Sequence, residues 1–184
     1  MFVIRHFTEV HIGRLVVQDP VTVLTNILLF LAGMWGFSRV RPLAFPGAKS
    51  WSMFFFMLGL ASFTGIFVHG FAHYMTDSLL FEVWVIMGLV QNVGISFAQM
   101  ATAQEYFPKY TGPILLFVIA QYLVLGFIFV YYRTYEASKA HVALGMAPVM
   151  LWNLYRYFKG EKKARFIFLG ILVSSLGGAV HTLQ

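Results

Sequence analysis

The sequence predicts an all-α integral membrane protein, and three observations carry that expectation. The 184 residues are 59% hydrophobic, 18% aromatic and only 11% charged, whereas a soluble domain carries about a quarter charged residues. The mean hydropathy is +0.75. The few charges also leave long gaps. There are 19 uncharged residues between Asp19 and Arg39, 27 between Lys49 and Asp77, 22 between Glu82 and Glu105, and 23 between Lys109 and Arg133. A further 16 lie between Lys139 and Arg156, and 19 follow Arg165. A bilayer core needs about 20 residues of helix. Five gaps meet that need outright, and the shortest can span because Lys139 and Arg156 snorkel. The composition excludes a water-soluble globule and a disordered chain. With no cysteine, disulfides, thiolate metal sites and cysteine nucleophiles are excluded too. The net charge of +6 belongs to membrane-flanking loops and does not point to nucleic acid.

The elements follow in order within one transmembrane domain, 1–184. Residues 1–18 mix Phe2, Ile4, Phe7, Val10, Leu15 and Val17 with Arg5, His6, Glu9, His11 and Arg14. This segment lacks a signal-peptide apolar run and reads as a short interfacial helix or strand, or as a lid over a polar site. Six transmembrane helices are expected near 20–39, 50–74, 80–104, 112–132, 137–157 and 165–184, or these are the first six of a seven-helix bundle. Pro42, Pro46 and Gly47 break the first from the second. Phe107-Pro108 and Gly112-Pro113 divide the third from the fourth, and Gly160-Glu161-Lys162-Lys163 the fifth from the sixth. Tyr131, Tyr132, Tyr135, Tyr155 and Tyr157 fall at helix ends, where amphipathic rings favour the interface.

Six antiparallel spans place Arg5, Arg14, Arg133 and Lys139 on the N-terminal side. Arg39, Arg41, Lys49, Lys109, Arg156, Lys159, Lys162, Lys163 and Arg165 lie on the other. The positive-inside rule makes the second side cytoplasmic and the N-terminus non-cytoplasmic.

Ionisable groups in or beside spans are functional candidates by default, and here they gather on one side. Asp19, Thr22, Thr25 and Asn26 open the first span. His69 and His73 close the second, Glu82 opens the third, His141 opens the fifth and His181 closes the sixth. A helix through His69 and His73 would stack their imidazoles on one face. That spacing suits a shared zinc, copper or iron ion, with His181 as a third ligand; it also suits histidines that only bond neighbouring helices. His141, close to Lys139, reads as an interfacial residue or a supporting one. Gln91 and Asn92 read as residues that hold helices together, and Ser174, Gly177 and Gly178 as a close-packing face.

The run Asp19-Pro-Val-Thr22-Val-Leu-Thr25-Asn26 resembles the first-helix pattern of the superfamily that joins alkaline ceramidases and progestin/adipoQ receptors. Gly65-Ile66-Phe67-Val68-His69 looks like its second-helix Ser-x-x-x-His motif, and Leu80-Phe81-Glu82-Val83-Trp84-Val85-Ile86 like its third helix. In that superfamily seven helices hold a zinc ion, and in the ceramidases a zinc-bound water attacks a lipid amide. The resemblance implies His69 as a ligand, Glu82 near the metal or its water, and Asp19 with Asn26 in support. Three positions depart from the pattern. Gly65 stands at the serine, with Ser62 one turn earlier as its substitute; Glu82 stands at an aspartate; and the family's seventh-helix HxxxH is not in this sequence, so either a further helix carries it or His73 and His181 replace it.

Two functions follow. The first is a zinc-dependent hydrolase of membrane lipid amides or esters, with Glu82 or Asp19 moving the proton. The second is a non-catalytic membrane subunit. It would bind a b-type haem between His69 or His73 and His141 or His181, or act as a receptor or assembly protein, as a homo-oligomer or within a membrane complex.

Overall fold

A computed structural model describes residues 9–183, with side chains through Leu172, that of Ile12 excepted. The chain opens with a hairpin of β1 (Glu9–Ile12) and β2 (Leu15–Gln18), paired antiparallel with Val10 opposite Val17 and Ile12 opposite Leu15. Gly13, at φ +63°, is the first of the two turn residues, where a two-residue hairpin turn needs a positive φ. So the segment before the first helix is a hairpin from Glu9 onward; the expectations for residues 1–8 lie outside the described residues. Tyr74 pins it: Val16 N donates to Tyr74 Oη at 2.8 Å, and Tyr74 Oη donates to Arg14 O at 3.5 Å.

Six α-helices follow among the described residues: α1 (Pro20–Val40), α2 (Ala48–Gly70), α3 (Asp77–Tyr106), α4 (Thr111–Tyr132), α5 (Tyr135–Phe158) and α6 (Lys162–Leu183). The connections are short, so successive helices pack as antiparallel neighbours. α3 is the centre and packs against α2, α4 and α5, while α1 lies on α2 and α6 on α5. Trp51, Ala98, Ala101 and Val149 form the core where α2, α3 and α5 meet. Val40 and Phe45 pack onto it from α1 and the loop after it, and Ile167 and Ile171 from α6.

The surface inverts that of a soluble protein. In α1 only Gly33 and Gly36 are buried, whereas Val21, Leu24, Leu28, Leu31 and Trp35 are exposed. In α4, Leu116, Phe117, Leu123 and Phe127 face outward, while Asn92, Gln99, Gln121, Ser138, His141 and Asn153 are buried. An apolar exterior of this extent suits lipid and would aggregate in water. Four helices, α1 to α4, have the length and apolarity to cross a bilayer. This is a membrane protein. α5 falls short in apolarity because it carries Glu136, Lys139, His141, Asn153 and Arg156. α6 opens on Lys162, Lys163 and Arg165, and the expected small-residue face at Ser174, Gly177 and Gly178 lies outside its described side chains.

The largest departure from expectation is where α2 stops. The second span was expected to run to residue 74, but the helix ends at Gly70. Phe71 leaves the helical region at φ −124°, and Ala72–Tyr74 form a separate 3₁₀ turn. Thr76 then starts α3 early by capping Leu79 N at 3.3 Å, with Asp77 in the favourable first turn.

Candidate functional site

The site lies at the hairpin end of the bundle and is built by α1, α2 and α3. Its first residue is Asp19. Pro20 disfavours right-handed helical backbone in the residue before it, and Asp19 instead adopts φ 46°, ψ 57°. This left-handed region is one that aspartate tolerates better than most side chains. Aspartate at a helix start ordinarily accepts an N–H from the first turn; Asp19 makes no such capping bond. Its carboxylate turns to α2, where Oδ2 lies 3.6 Å from His69 Nδ1. That is ion-pair range, longer than a hydrogen bond. Both side chains are largely enclosed, His69 at 13% and Asp19 at 22% exposure.

Asn26 and Gly65 explain how α1 and α2 approach closely enough for this contact. A Cβ at Gly65 would lie 2.8 Å from Asn26 Nδ2, and one at Gly70 would lie 2.9 Å from Val23 Cγ2. Gly65 thus leaves room for the Asn26 amide. Ser62, its substitute by sequence, is buried and donates its hydroxyl to Leu58 O at 2.9 Å within its own helix. On the third side, Trp84 meets the His69 ring edge to face at 5.7 Å, and Tyr135 meets Trp84 at 5.2 Å.

The other expected residues divide. His73 does not share a helix face with His69: it sits exposed on the 3₁₀ turn, with its ring 5.1 Å from that of Tyr74. The one-face stacking expected from the i, i+4 spacing is therefore corrected, because α2 has ended before residue 73. Glu82 is exposed in the second turn of α3. Thr22 is half-buried in the first turn of α1. The side chain of His181 lies outside the described residues.

His141 is not on the surface of the bundle. It is fully buried, and its Nε2 donates to Asn92 O at 3.1 Å, with Ser96 Oγ 3.5 Å away. Ser138 Oγ donates to Asn92 Oδ1 at 3.2 Å, Gln121 Nε2 to His141 O at 3.4 Å, and Gln99 Nε2 to Gln121 Oε1 at 3.3 Å. Asn92 thus holds α3 to α5, as its sequence position suggested. The network itself was not anticipated; the polar residues Asn92, Ser96 and Gln99, three and four apart on α3, were its signal.

A catalytic zinc ion takes three protein ligands and an open position. Among the described residues no three histidine or carboxylate groups converge on one point. Asp19 and His69 supply two donors, which falls short of such a site. A haem shared by His69 and His141 finds no support either, since the two imidazoles sit in separate clusters, one against Asp19 and Trp84 and the other against Asn92 and Ser96. What the pair can do is acid–base chemistry, with a carboxylate orienting an imidazole.

The model of DUF6962, a family of unknown function, matches residues 21–184. The chain belongs to that family. The matched range takes in Asn26, His69, Glu82 and His141, and it begins two residues after Asp19. No curated protein and no solved structure matches this DUF6962 chain.

Proposed function

We propose that this protein is a multi-pass membrane hydrolase of lipid amides or esters, with the Asp19–His69 pair as its acid–base centre. All six helices span the bilayer in this reading, and the hairpin end faces the non-cytoplasmic side. The observation that carries it is the carboxylate of Asp19, which gives up the capping role at the start of α1 and turns to His69 at 3.6 Å. When Nδ1–H donates a hydrogen bond to the aspartate, which needs the 3.6 Å contact to tighten, the proton stays on Nδ1 and the imidazole lone pair is on Nε2. That atom takes a proton from water as it attacks the acyl carbon and returns it to the departing amine or alkoxide. A lipid substrate reaches such a site sideways from the leaflet. The zinc implied by the superfamily resemblance would need a third donor beyond Asp19 and His69, for which His181 is the candidate, and no step of this reading runs through it.

The test is release of fatty acid from a long-chain lipid amide and from the matching ester by purified protein in detergent. Asp19→Asn and His69→Gln should each lower the rate by about a hundredfold or more. Full turnover by His69→Gln would overturn the proposal. A second reading, a receptor or assembly subunit, draws on the His141–Asn92 network, which serves as interhelical glue. It expects no turnover from the wild type.

A further inference from the structure

The net positive charge sits almost wholly at the end of the bundle away from the hairpin. That end carries Arg39, Arg41, Lys49, Lys109, Arg156, Lys159, Lys162, Lys163 and Arg165, against two carboxylates, Glu105 and Glu161. Both carboxylates are already engaged, Glu105 with Lys163 at 2.6 Å and Glu161 with Arg156. The other seven cations have no carboxylate partner among the described residues. Aromatic faces hold four of them in place. Arg39 lies over Trp35 at 5.9 Å, Arg41 over Phe37 at 5.4 Å, Lys159 over Tyr155 at 5.6 Å and Arg165 over Tyr157 at 6.0 Å. Tryptophan and tyrosine favour the headgroup level of a bilayer, the depth at which Trp35, Tyr155 and Tyr157 would set Arg39, Lys159 and Arg165.

The cations also converge from elements distant in sequence. Lys163 lies over Phe45 at 4.0 Å, which brings the first turn of α6 to the loop between α1 and α2. Val40 and Ile167 pack on the same core cluster. Arg39 and Arg41 at the end of α1 and Arg165 at the start of α6 therefore flank one region of the surface. Basic groups between helices at this depth recognise phosphate headgroups.

We infer that this end of the molecule is a binding surface for anionic phospholipid, with Arg39, Arg41 and Arg165 as its principal contacts. The full chain, purified in neutral detergent, should retain added phosphatidylglycerol in preference to phosphatidylcholine by native mass spectrometry. The Arg39→Gln, Arg41→Gln, Arg165→Gln triple variant should bind phosphatidylglycerol roughly a hundredfold more weakly while melting in phosphatidylcholine nanodiscs as the wild type does. Free glycerol phosphate should not compete. Should the triple variant fail to fold, the wild type alone decides: raising salt from about 0.05 to about 0.5 M should release phosphatidylglycerol. Equal retention of the neutral lipid, unchanged binding by a folded triple variant, competition by glycerol phosphate, or retention indifferent to salt would each overturn the inference.

Discussion

Asp19 holds a backbone conformation that costs an ordinary L-residue about 1–2 kcal/mol and makes no capping bond in return. Such an outlier points to function, and it separates stability from activity at one position. Asp19→Gly relieves the left-handed φ of 46° and removes the carboxylate, so it should unfold no more easily than the wild type yet lose the hydrolase activity proposed above. Asp19→Ala keeps the backbone cost and should be less stable than Asp19→Gly by about 1 kcal/mol. Denaturant unfolding in detergent measures both; a glycine variant markedly less stable than the alanine variant would refute the strain argument. Asp19, Asn26 and His69 were legible in the sequence because ionisable or amide groups in an apolar frame stand out. The enclosure of His141 was not legible. Nearby Lys139 marks only the start of its helix, whereas the contacts to Asn92 and Ser96 that enclose it come from α3, some 45 residues earlier in the chain.

At the scale of the element, glycines decide how α1 and α2 meet, since α1 has almost nothing else to bury. A Cβ at Gly33 would lie 2.8 Å from Gly59 Cα, Gly59 N and Phe55 O, all backbone atoms that cannot swing aside. A Cβ at Gly65 would meet the Asn26 side chain instead, which has rotamers to give. Close approach through small residues is how membrane helices gain packing energy. Gly33→Ala should therefore destabilise by about 1–3 kcal/mol and Gly65→Ala by clearly less, as read from thermal melting in one detergent. The reverse order would mean that α1 and α2 do not pack along this seam. Helix number and the breaks at Pro42 and Pro108 were readable, because prolines and charge gaps are local signals. The end of α2 was readable too, in Gly70 followed by the Thr76-Asp77 start signal, but the unbroken run of uncharged residues up to Asp77 concealed it.

For the whole molecule, the division of charge makes topology testable. Among the described residues the hairpin end carries Glu9, Asp19, Asp77, Glu82 and Glu136 against Arg14, Arg133 and Lys139, while the opposite end holds nine cations and two carboxylates. Lysine and arginine resist translocation, so the second end should stay cytoplasmic. The chain has no cysteine, so single cysteines report position without background. His11→Cys in β1 and Met75→Cys between α2 and α3 should react with a membrane-impermeant maleimide on intact cells. Ala44→Cys between α1 and α2 and Lys159→Cys after α5 should react only once the cells are opened. The pair Met75 and Lys159 carries most information, because with α3 and α4 crossing they fall on opposite faces only if α5 crosses as well. α5 is the helix with the weakest claim on the membrane by composition, yet its polar residues Ser138, His141 and Asn153 are turned inward, with almost no exposure, while Leu144 and Leu151 face out. Labelling of Met75→Cys and Lys159→Cys from the same side would leave α5 outside the bilayer and remove the enclosure on which the buried His141 network depends.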